Sequence, residues 1–510
     1  MRVTFDFYKN INGTAYAFGL GERYDDSKNS RLTRVVYKVW LTLDDSDAEI
    51  IVPEEKNGFP IDMVSILYDT KTGDKLAEDK RPAIKRLYIP KNVRYINIPT
   101  WTFVVDYKNA IWIGREETSI TIIDEIHKQT PPAPLRTSMF TLNDDDEEEE
   151  KYIPDKTKNL KVFERYSLLN GCAVEISPDN PYMCVYKNGI YSRDMGRLTY
   201  IFTSPGSVDE CFEVPDSVWM IGSGAGSGIR GIKRVVIPEN VKLVVGFAFS
   251  GCADLEEADI NAAILGKEAF SHCRKLSAVK LTRCTDIGVE AFRGCWSFEN
   301  IRLPDTLRKI GDYAFAYTKM RRLTVPSVVE EVGDYILRND EPGNTFLELY
   351  IKDDAFTFRH KNFFSSYKER MVLRSAETNE ILTELYYGYA FSIFKDQRID
   401  FEHYDQMVIH RNTVRAPGVS KLDREIDVSG MILRFKYPYR MKSEYKEQII
   451  DCIIGRIIEN EEPDMALIRE IPKDRLPSVI KKSTLSGKTE LTAILLQRLH
   501  DLKNSDNDNK

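Results

Sequence analysis

Apolar and polar positions between residues 208 and 338 recur with a period much longer than that of a helix or a strand. Four Ala-Phe pairs begin at residues 248, 269, 291 and 314, in steps of 21, 22 and 23 residues. A glycine stands two or three residues before each pair: Gly246, Gly266, Gly288 and Gly311. The same spacing leads to Gly333 with Tyr335-Ile336. This period predicts a solenoid, because a coil of about 22 residues buries its apolar side only against neighbouring coils.

Each repeat continues into an apolar triplet of the form Leu-x-x-Leu-x-Leu, for example Leu276, Val279 and Leu281. The last two apolar side chains of a triplet lie on one face of an extended strand, so the x positions beside the middle residue point outward. We therefore expect one short strand per coil and an open sheet of outward positions. These positions are Arg234, Val236, Glu257, Asp259, Ala278, Lys280, Asn300, Arg302, Arg322 and Thr324.

The stretch "IGSGAGSGIRG" (221–231) contains five glycines and has the composition of a phosphate-binding loop. Such a loop connects a strand to a helix and carries a Lys-Ser/Thr pair, and this stretch has neither feature. In the register of the repeat, Gly222 takes the glycine position, Ala225 the Ala position, and Gly226 replaces Phe. We therefore interpret the stretch as one coil that has lost its Phe, with nucleotide binding as the alternative.

The stretch "LPDTLRKIGDYAFAYTKMRRLTVP" (303–326) contains the end of a strand, a proline, a turn ending in Ile-Gly, and the Ala-Phe pair. This pattern resembles the BspA-type leucine-rich repeats of bacterial proteins, most clearly over 208–338. The resemblance implies an α/β repeat fold, namely a leucine-rich-repeat solenoid with β-rich coils. Weaker matches are a short β module at 45–66, candidate coils at 83–96 and 160–177, and a hairpin insert with Asn188-Gly189 at its turn.

After about residue 340 the repeat ends, and the pattern predicts strands within 344–356 and 370–387. A helix is expected over 443–460, beginning with Ser443, because its apolar residues recur at helical spacing. A helix pair is expected over 473–503, with Gly487 ending the first helix and Thr489 capping the second. The "GKTELTAILL" segment resembles part of an ankyrin repeat, while "FEHYDQMV" (401–408) and "RFKYPYRMKSEYKEQ" (434–448) resemble the helical tail of some intracellular proteins with these repeats. The alternative role of this tail is a cap on the solenoid end.

The predicted organisation has four parts. They are a small N-terminal β module (1–78), a solenoid (79–338) that includes an acidic loop (143–150) and a β-hairpin insert (180–210), a β-strand capping segment (339–400), and an α-helical, ankyrin-like C-terminal domain (401–510).

Candidate chemistry is sparse. Cys252, Cys273 and Cys295 share one position of the repeat, with Thr318 next in line, so we interpret them as a packing column; disulfides or a metal ladder are the alternatives. His403 and His410 lie near a predicted helix and are expected on the surface. The run "NDDDEEEE" (143–150) is expected to be a solvated loop, with a docking tail for a basic partner as the alternative. The sequence predicts no catalytic, cofactor-binding or metal-ligating set.

The chain has 510 residues, of which 42% are apolar and 30% charged, and its formal net charge is −7. This composition is typical of a globular protein, and the lack of a Lys/Arg-rich block argues against a nucleic-acid partner. The sequence has no run of 18 apolar residues, so no membrane span is predicted. The first twenty residues lack the apolar segment of a secretory signal, so we expect a cytoplasmic protein with reduced cysteines, extracellular only if a signal peptide has been removed.

The sequence therefore predicts a non-enzymatic intracellular scaffold that binds a protein through the outward positions and the helical tail. Since the outward positions change from mixed and acidic to basic along the array, we expect carboxylates of the partner opposite Lys280, Arg302 and Arg322. The alternative is a cell-surface adhesin or host-binding leucine-rich repeat protein. A third hypothesis is an enzyme with its site within 340–440.

Overall fold

A computed structural model describes most of the chain. The described residues are 4–9, 15–25, 30–41, 48–56, 58–68, 84–98, 100–106, 111–117, 161–206, 209–338, 346–360, 370–386, 394–395, 398–413, 421–460 and 462–508. The acidic run at 143–150 lies outside them. The chain divides into two compact units. Unit 1 is Met1–Thr306 with Tyr313–Lys319, and unit 2 is Leu307–Asp312 with Met320–Lys510.

Unit 1 begins with a β-rich module. Its strands are β1 (Thr4–Lys9), β2 (Ala15–Asp25), β3 (Ser30–Leu41), β4 (Ala48–Ile51), β5 (Glu55–Lys56), β6 (Phe59–Tyr68), β7 (Ile84–Ile89), β8 (Tyr95–Asn97), β9 (Thr100–Asp106), β10 (Ile111–Glu117), β11 (Lys161–Ser167) and β12 (Ala173–Ile176). They form sheets of order β1-β2-β3-β6-β5 with β8 beside β6, β10-β9-β11, and β12-β7-β4. Ile61, Val64, Ile84 and Leu87 are fully buried in this module.

The candidate coil at 160–177 is only partly a coil. Residues 161–167 form β11, which pairs antiparallel with β9 over its whole length. The coil pattern holds from Leu168 onward, where Leu168 and Cys172 are fully buried and β12 pairs parallel with β7. Glu164, which stands where the repeat has glycine, thus belongs to an antiparallel strand and not to a coil.

The rest of unit 1 contains the repeat coils. Their strands are β13 (Met183–Tyr186), β14 (Gly189–Ser192), β15 (Arg197–Ile201), β16 (Cys211–Glu213), β17 (Met220–Ile221), β18 (Arg234–Ile237), β19 (Leu243–Val244), β20 (Glu257–Ile260), β21 (Ile264–Leu265), β22 (Ala278–Leu281) and β23 (Asp286–Ile287). Two parallel ladders run along the coils, β16-β18-β20-β22 and β15-β17-β19-β21-β23, and the hairpin β13-β14 extends the second. The expected solenoid is thereby confirmed.

The Phe residues of the repeat form one buried file. Phe249 and Phe270 have ring centroids 5.1 Å apart, Phe270 and Phe292 are 5.7 Å apart, and Phe292 and Phe315 are 5.7 Å apart, with interplanar angles of 13°, 13° and 2°. All four side chains have 0% exposure. The file ends at Gly226, as predicted. The position that the next ring would take is filled by the Ile201 side chain of β15, since a Cβ on Gly226 would lie 3.0 Å from Ile201 Cδ1.

The glycine column marks the closest approach of neighbouring coils. A Cβ on Gly266 would lie 2.7 Å from the Gly246 nitrogen, and one on Gly288 would lie 2.5 Å from the carbonyl carbon of Gly266. Side chains of any size are excluded there, since real Cβ atoms do not approach backbone so closely. The column of glycines in the sequence therefore has a direct steric cause.

The Gly-rich stretch is a coil, and its contact with β11 depends on a glycine. A Cβ on Gly228 would lie 2.5 Å from the Tyr166 nitrogen, so the end of β11 rests directly on this coil. The Ser167 N–H donates to the Gly228 carbonyl at 3.0 Å. Arg165 extends across the next coils, where its guanidinium lies 4.9 Å from the Phe247 ring centroid and 3.3 Å from a Glu268 carboxylate oxygen. The stretch thus packs protein against its backbone rather than a phosphate.

Unit 2 contains the remaining strands and the helices. The strands are β24 (Lys309–Ile310), β25 (Arg322–Thr324), β26 (Glu331–Val332), β27 (Phe346–Lys352), β28 (Ala355–Phe356), β29 (Arg359–His360), β30 (Arg370–Ser375), β31 (Ile381–Tyr386), β32 (Phe394–Lys395) and β33 (Arg398–Ile399). They form the ladder β24-β26-β29 and a sheet of order β31-β30-β27-β28-β33-β32 with β25 beside β27. In this unit Ile336 and Leu337 are buried, while Tyr335 has a φ of 53°. The Ala-Phe positions are therefore Ile336-Leu337, one residue later than the sequence spacing indicated.

Six helices follow in the described part of unit 2. They are α1 (Phe401–Thr413), α2 (Lys421–Lys436), α3 (Ser443–Glu459), α4 (Met465–Glu470), α5 (Leu476–Leu485) and α6 (Thr489–Asp508). The helix expected from Ser443 is confirmed, with Ile449, Ile453 and Ile457 buried. Gly487, at a φ of 70°, ends the first helix of the predicted pair. Thr489 is already the first helical residue of α6, so the predicted cap is displaced by one position.

Candidate partner-binding face

The outward positions of unit 1 alternate with buried ones. In β18 the buried side chains are Val235 and Ile237, and in β20 they are Ala258 and Ile260, whereas the residues between them are exposed or half-buried. We use "outward face" for the predicted positions of unit 1: Arg234, Val236, Glu257, Asp259, Ala278, Lys280, Asn300 and Arg302. The alternation follows from the pleat of a strand, and it places the six of these residues that belong to β18, β20 and β22 on one side of the ladder.

The ladder register sorts these side chains into two rows. Arg234 pairs with Glu257, and Glu257 with Ala278. Val236 pairs with Asp259, and Asp259 with Lys280. Neighbouring charges on the rows contact each other, with 3.7 Å between Arg234 and Glu257 and 3.6 Å between Lys280 and Asp259. Part of the charge gradient expected from the sequence is therefore neutralised within the face itself, and such exposed pairs add little stability.

The strand expected in the coil with Phe298, Ile301 and Leu303 is not formed. Residues 298–304 have no strand assignment, and in unit 1 the outward ladder stops at β22. Asn300 and Arg302 are nevertheless exposed, as the alternation predicts. Phe298 is fully buried and its ring centroid lies 5.6 Å from that of Phe292, so the coil is held by its core side chain. Phe298 and Leu303 of the apolar triplet are buried and Ile301 is half-buried, but the triplet does not pair as a strand.

Arg322 and Thr324 lie on β25 in unit 2, where a carboxylate that the sequence did not indicate binds both. Glu348 of β27 is opposite Thr324 and accepts a hydrogen bond from its hydroxyl at 2.6 Å. Arg322 forms an ion pair with the other carboxylate oxygen of Glu348, Oε1, and Arg374 donates to Oε1 as well, at 3.1 Å. Burial raises the pKa of Glu348, but these hydrogen bonds outweigh it, and the pKa lies below its usual value. Arg322 is therefore committed to its own sheet.

The signal for Glu348 is the alternation in "FLELYI", which places Leu347 and Leu349 inward and Glu348 on the opposite side. The alternation alone does not pair Glu348 with Arg322, because the sequence does not show that β25 and β27 are neighbouring strands. The interval from Thr324 to Glu348 is longer than the period of 21 to 23 residues, so the spacing of the Ala-Phe pairs does not lead to Glu348.

The cysteine column is a packing column with a specific hydrogen bond. The thiols of Cys252, Cys273 and Cys295 donate to the carbonyls of Gly226, Phe249 and Phe270 in the preceding coils, at sulfur–oxygen distances of 3.1, 3.0 and 3.1 Å. Burial raises the pKa of the Cys252 and Cys273 thiols well above the ordinary value. All three side chains are buried and free of disulfide bonds. Thr318 is also buried and donates to Phe315 at 2.9 Å.

In the described part of 340–440, the region of the enzyme hypothesis, Arg434 and Asp405 form a buried ion pair. Arg434 and Asp405 have side-chain exposures of 0% and 1%. Arg434 donates to both Asp405 oxygens at 2.6 and 2.9 Å, to Thr383 Oγ1 at 3.1 Å, and to the carbonyls of Tyr437 and Tyr439 at 2.9 and 3.2 Å. All five guanidinium donors are used by the protein. This geometry indicates a structural role.

The remaining candidate side chains named from the sequence are two histidines of α1. His403 is half-buried and His410 exposed, seven residues apart on α1. Within the described ranges, no group of three or more His, Cys, Asp or Glu side chains is placed to hold a metal ion. None of the described helices has both the length and the apolar composition needed to cross a lipid bilayer.

Comparison with known proteins assigns the repeat to a class. Residues 199–295 and 263–389 match the family described as "BspA type Leucine rich repeat region", with six copies. The chain thus contains a region of leucine-rich repeat coils, and helices follow it from Phe401. This class favours a protein-interaction or surface-binding role, and no catalytic family is indicated.

Several solved structures are similar to the chain. A leucine-rich repeat protein from Eubacterium ventriosum is 12% identical with a TM-score of 0.33, over 66% of this chain and 97% of that one. A leucine-rich repeat protein from Bacteroides ovatus is 18% identical with a TM-score of 0.25, over 43% and 68%. The T. pallidum leucine-rich repeat protein is 19% identical with a TM-score of 0.25, over 34% and 86%. No curated protein matches the chain.

Proposed function

We propose that the chain is a non-enzymatic scaffold that binds another protein on the outward face of unit 1. The observation that carries this proposal is the row of exposed side chains on a rigid ladder whose opposite side is the packed core. A rigid strand surface holds its side chains in place before binding, which reduces the entropy lost when a partner docks. Lys280 and Arg302 give one end of the face a basic character, and we expect carboxylates of the partner there.

We further propose that the protein acts inside the cell. The buried thiols of Cys252, Cys273 and Cys295 act as hydrogen-bond donors, a role that requires them to be reduced, and reduced thiols are typical of the cytosol. The alternative is a cell-surface adhesin or host-binding protein. Fractionation of the native protein, followed by titration of its free thiols, distinguishes the two compartments.

The first experiment determines which region contacts the partner. A photo-crosslinking amino acid replaces Ala278, which is exposed at the centre of the outward face, and in a separate variant replaces Leu485, which is 78% exposed at the end of α5. We expect the partner to be captured from position 278. Capture only from position 485 would assign binding to the helical tail and contradict the proposal. Truncation near residue 400 is a poorer test, because Thr383 and Tyr386 of β31 bond to Arg434 and Tyr404.

The second experiment tests the charges. Reversal at Lys280 and Arg302 together is expected to weaken binding about tenfold and to reduce its salt dependence, since exposed charges act mainly by long-range attraction. Arg283→Glu is the matched control, because Arg283 is an exposed residue of unit 1 that pairs with Glu239 and lies off the outward face. Arg322 is omitted, since a carboxylate there would face the buried Glu348 and destabilise unit 2. Unchanged affinity in the double variant would refute the charge assignment.

A further inference from the structure

The ladder β15-β17-β19-β21-β23 of unit 1 carries apolar side chains on its solvent side. In β19 and β21 the inner residues Val244 and Leu265 are buried, whereas Leu243 and Ile264 point outward and are half-buried. Trp219, which directly precedes β17, is 37% exposed. We use "apolar patch" for Trp219, Leu243 and Ile264 together. Apolar side chains that are exposed side by side, rather than singly, are typical of an interaction site.

The strand register arranges the surface around the apolar patch in two rows. The first row consists of the residues that pair in order on β17, β19, β21 and β23, namely Met220, Leu243, Ile264 and Asp286. The second row consists of the residue before each of these, namely Trp219, Lys242, Ala263 and Thr285. The second row keeps the same register, because the Lys242 N–H donates to the Trp219 carbonyl at 2.8 Å and the Thr285 N–H to the Ala263 carbonyl at 2.7 Å.

Two charged residues beside the apolar patch form no ion pair with any residue that the structure describes. Lys242 is exposed on the row of Trp219, and Asp286 is half-buried at the end of the row of Ile264. The Asp286 carboxylate accepts a hydrogen bond from the Thr285 hydroxyl at 2.6 Å. Because β21 lies between the strands of the two charges, they do not pair within the chain. Each can pair with an opposite charge on another molecule.

We propose that the apolar patch binds the same patch of a second copy of this chain, about a two-fold axis that is parallel to the strands and lies between β19 and β21. This axis reverses the order of the strands and keeps the position along each strand, so β19 faces β21 of the second copy. Leu243 of each copy then packs on Ile264 of the other. Lys242 faces the small Ala263 of the second copy and reaches Asp286 on the strand beside it.

A second copy is the occupant that this surface fits, because each row is complementary to its own reverse. Reversal brings Lys242 to Asp286 twice in each dimer, so both unpaired charges gain a partner of opposite sign. It also places Trp219 opposite Thr285, so that a large side chain meets a small one. Self-complementarity of this kind is what a two-fold symmetric interface requires. The outward face belongs to a different ladder and stays available for another partner.

The contact is small. A few side chains from four coils of each copy bury less than the roughly 1,200 Å² typical of a stable interface, so we expect a weak dimer, with a dissociation constant on the order of 10 to 100 µM. The two charge pairs lie at the rim of the contact, where salt screens them. High salt is therefore expected to weaken the dimer.

Sedimentation of the full chain over a range of concentrations tests the proposal. We expect a monomer–dimer equilibrium that Lys242→Glu weakens by about tenfold or more, because it brings a second carboxylate to Asp286 across the axis. Leu243→Ser, which removes the central apolar contact and leaves the buried side of β19 unchanged, is expected to weaken the dimer as well. Lys85→Glu on β7 and Ile51→Ser on β4 are the matched controls, since both residues are exposed in unit 1 on another sheet. They should leave the dissociation constant unchanged.

An exchange of charges tests the pairing across the axis. Asp286→Lys alone should weaken the dimer, and the double variant Lys242→Glu/Asp286→Lys should restore it, because opposite charges then meet again. Carbodiimide, which condenses an amine and a carboxylate into an amide, gives an independent readout. In the cross-linked wild-type dimer we expect peptide mapping to find Lys242 joined to Asp286.

A chain that is monomeric at every concentration would overturn the proposal. So would a dimer that both Lys242→Glu and Leu243→Ser leave intact, because another surface would then hold the two copies together. A double exchange variant that dimerises as weakly as the two single variants would overturn the assigned charge pair and the axis with it.

Discussion

The repeat coils of unit 1 and the helical region of unit 2 are held together in opposite ways. In the coils, each Phe ring stacks on the ring of the neighbouring coil, and each thiol of the column bonds to the coil before it. In the helical region, one guanidinium connects α1, α2, β31 and the segment after α2. The coils repeat one contact many times, whereas the contact of this guanidinium occurs once in the helical region.

This difference determines how strongly a single substitution is expected to destabilise each region. A stack of similar coils has a stability that is approximately a sum over neighbouring pairs, so a single lesion has a local effect. A buried ion pair has no such redundancy, because removal of one partner leaves the other charged and away from water. Four substitutions break or sharpen this comparison.

The largest effect is expected for Arg434→Met. Asp405 would remain buried without a partner, and loss of one member of a buried pair costs about 3 to 5 kcal/mol. Chemical denaturation followed by far-ultraviolet circular dichroism should show a helical transition at lower denaturant concentration. The double variant Arg434→Met/Asp405→Leu removes both charges and should recover much of the loss. If the double variant is as unstable as the single one, packing rather than charge explains the effect.

Phe292→Ala is expected to cost about 3 to 4 kcal/mol, since it opens a cavity beside three rings. Phe292 lies between Phe270 and Phe315 and also contacts Phe298. Phe249→Ala is the control, because Phe249 stacks on Phe270 alone and has Gly226 on its other side. We expect the terminal substitution to cost clearly less in urea denaturation. Equal costs would contradict the nearest-neighbour description.

Gly288→Ala tests the close approach of the coils, with an expected cost of about 2 to 3 kcal/mol. The added Cβ would overlap the Gly266 backbone at 2.5 Å, and backbone of a stacked coil has no alternative position. Gly455→Ala is the matched control in α3, where a Cβ would have no heavy atom within 4 Å. It should stabilise the protein by up to about 1 kcal/mol, since alanine favours a helix over glycine. A neutral Gly288→Ala would show that the coils can separate.

The sequence predicts the repeated contacts well, for a physical reason. Every coil faces the same environment, so the Phe, Cys and Gly columns are visible as a period, and the buried file of Phe249, Phe270, Phe292 and Phe315 is confirmed. The helix from Ser443 is likewise confirmed, because its apolar residues alone determine its buried side. The strand expected at 298–304 failed, since pairing depends on the neighbouring backbone and not on the apolar triplet.

Contacts that occur once could not be predicted. Arg165 and Glu268 are 103 residues apart, and Arg322 and Glu348 are 26 apart, off the period of the repeat. Asp405 and Arg434 lie within two of the tail motifs, but nothing in the sequence pairs them before β31, α1 and α2 are placed together. The outward face was predicted from the alternation within strands, and its use by a partner stays a prediction.

The smallest effect concerns one coil residue that differs from its column. His272 stands where neighbouring coils have Gly251 and Gly294, at a φ of 57°. Burial, and after it the charges of Arg293, Arg165 and Arg274, lower the pKa of His272 to about 3. Below pH 6.5 the unfolded chain therefore binds a proton at His272, whereas the folded chain binds it only near pH 3. The free energy of unfolding that this residue contributes above pH 6.5 is consequently lost as the pH falls towards 3.

Between pH 7 and pH 5 this linkage should remove about 1 to 2 kcal/mol. His272→Gln, which cannot titrate, should flatten that part of the pH dependence in urea denaturation. Because protonation acts at one position of a stack, we also expect the loss to appear in the coils of unit 1 and not in the helical transition. An equal pH dependence in the wild-type protein and His272→Gln would mean that the imidazole is solvated, and the coil would then be looser than its neighbours.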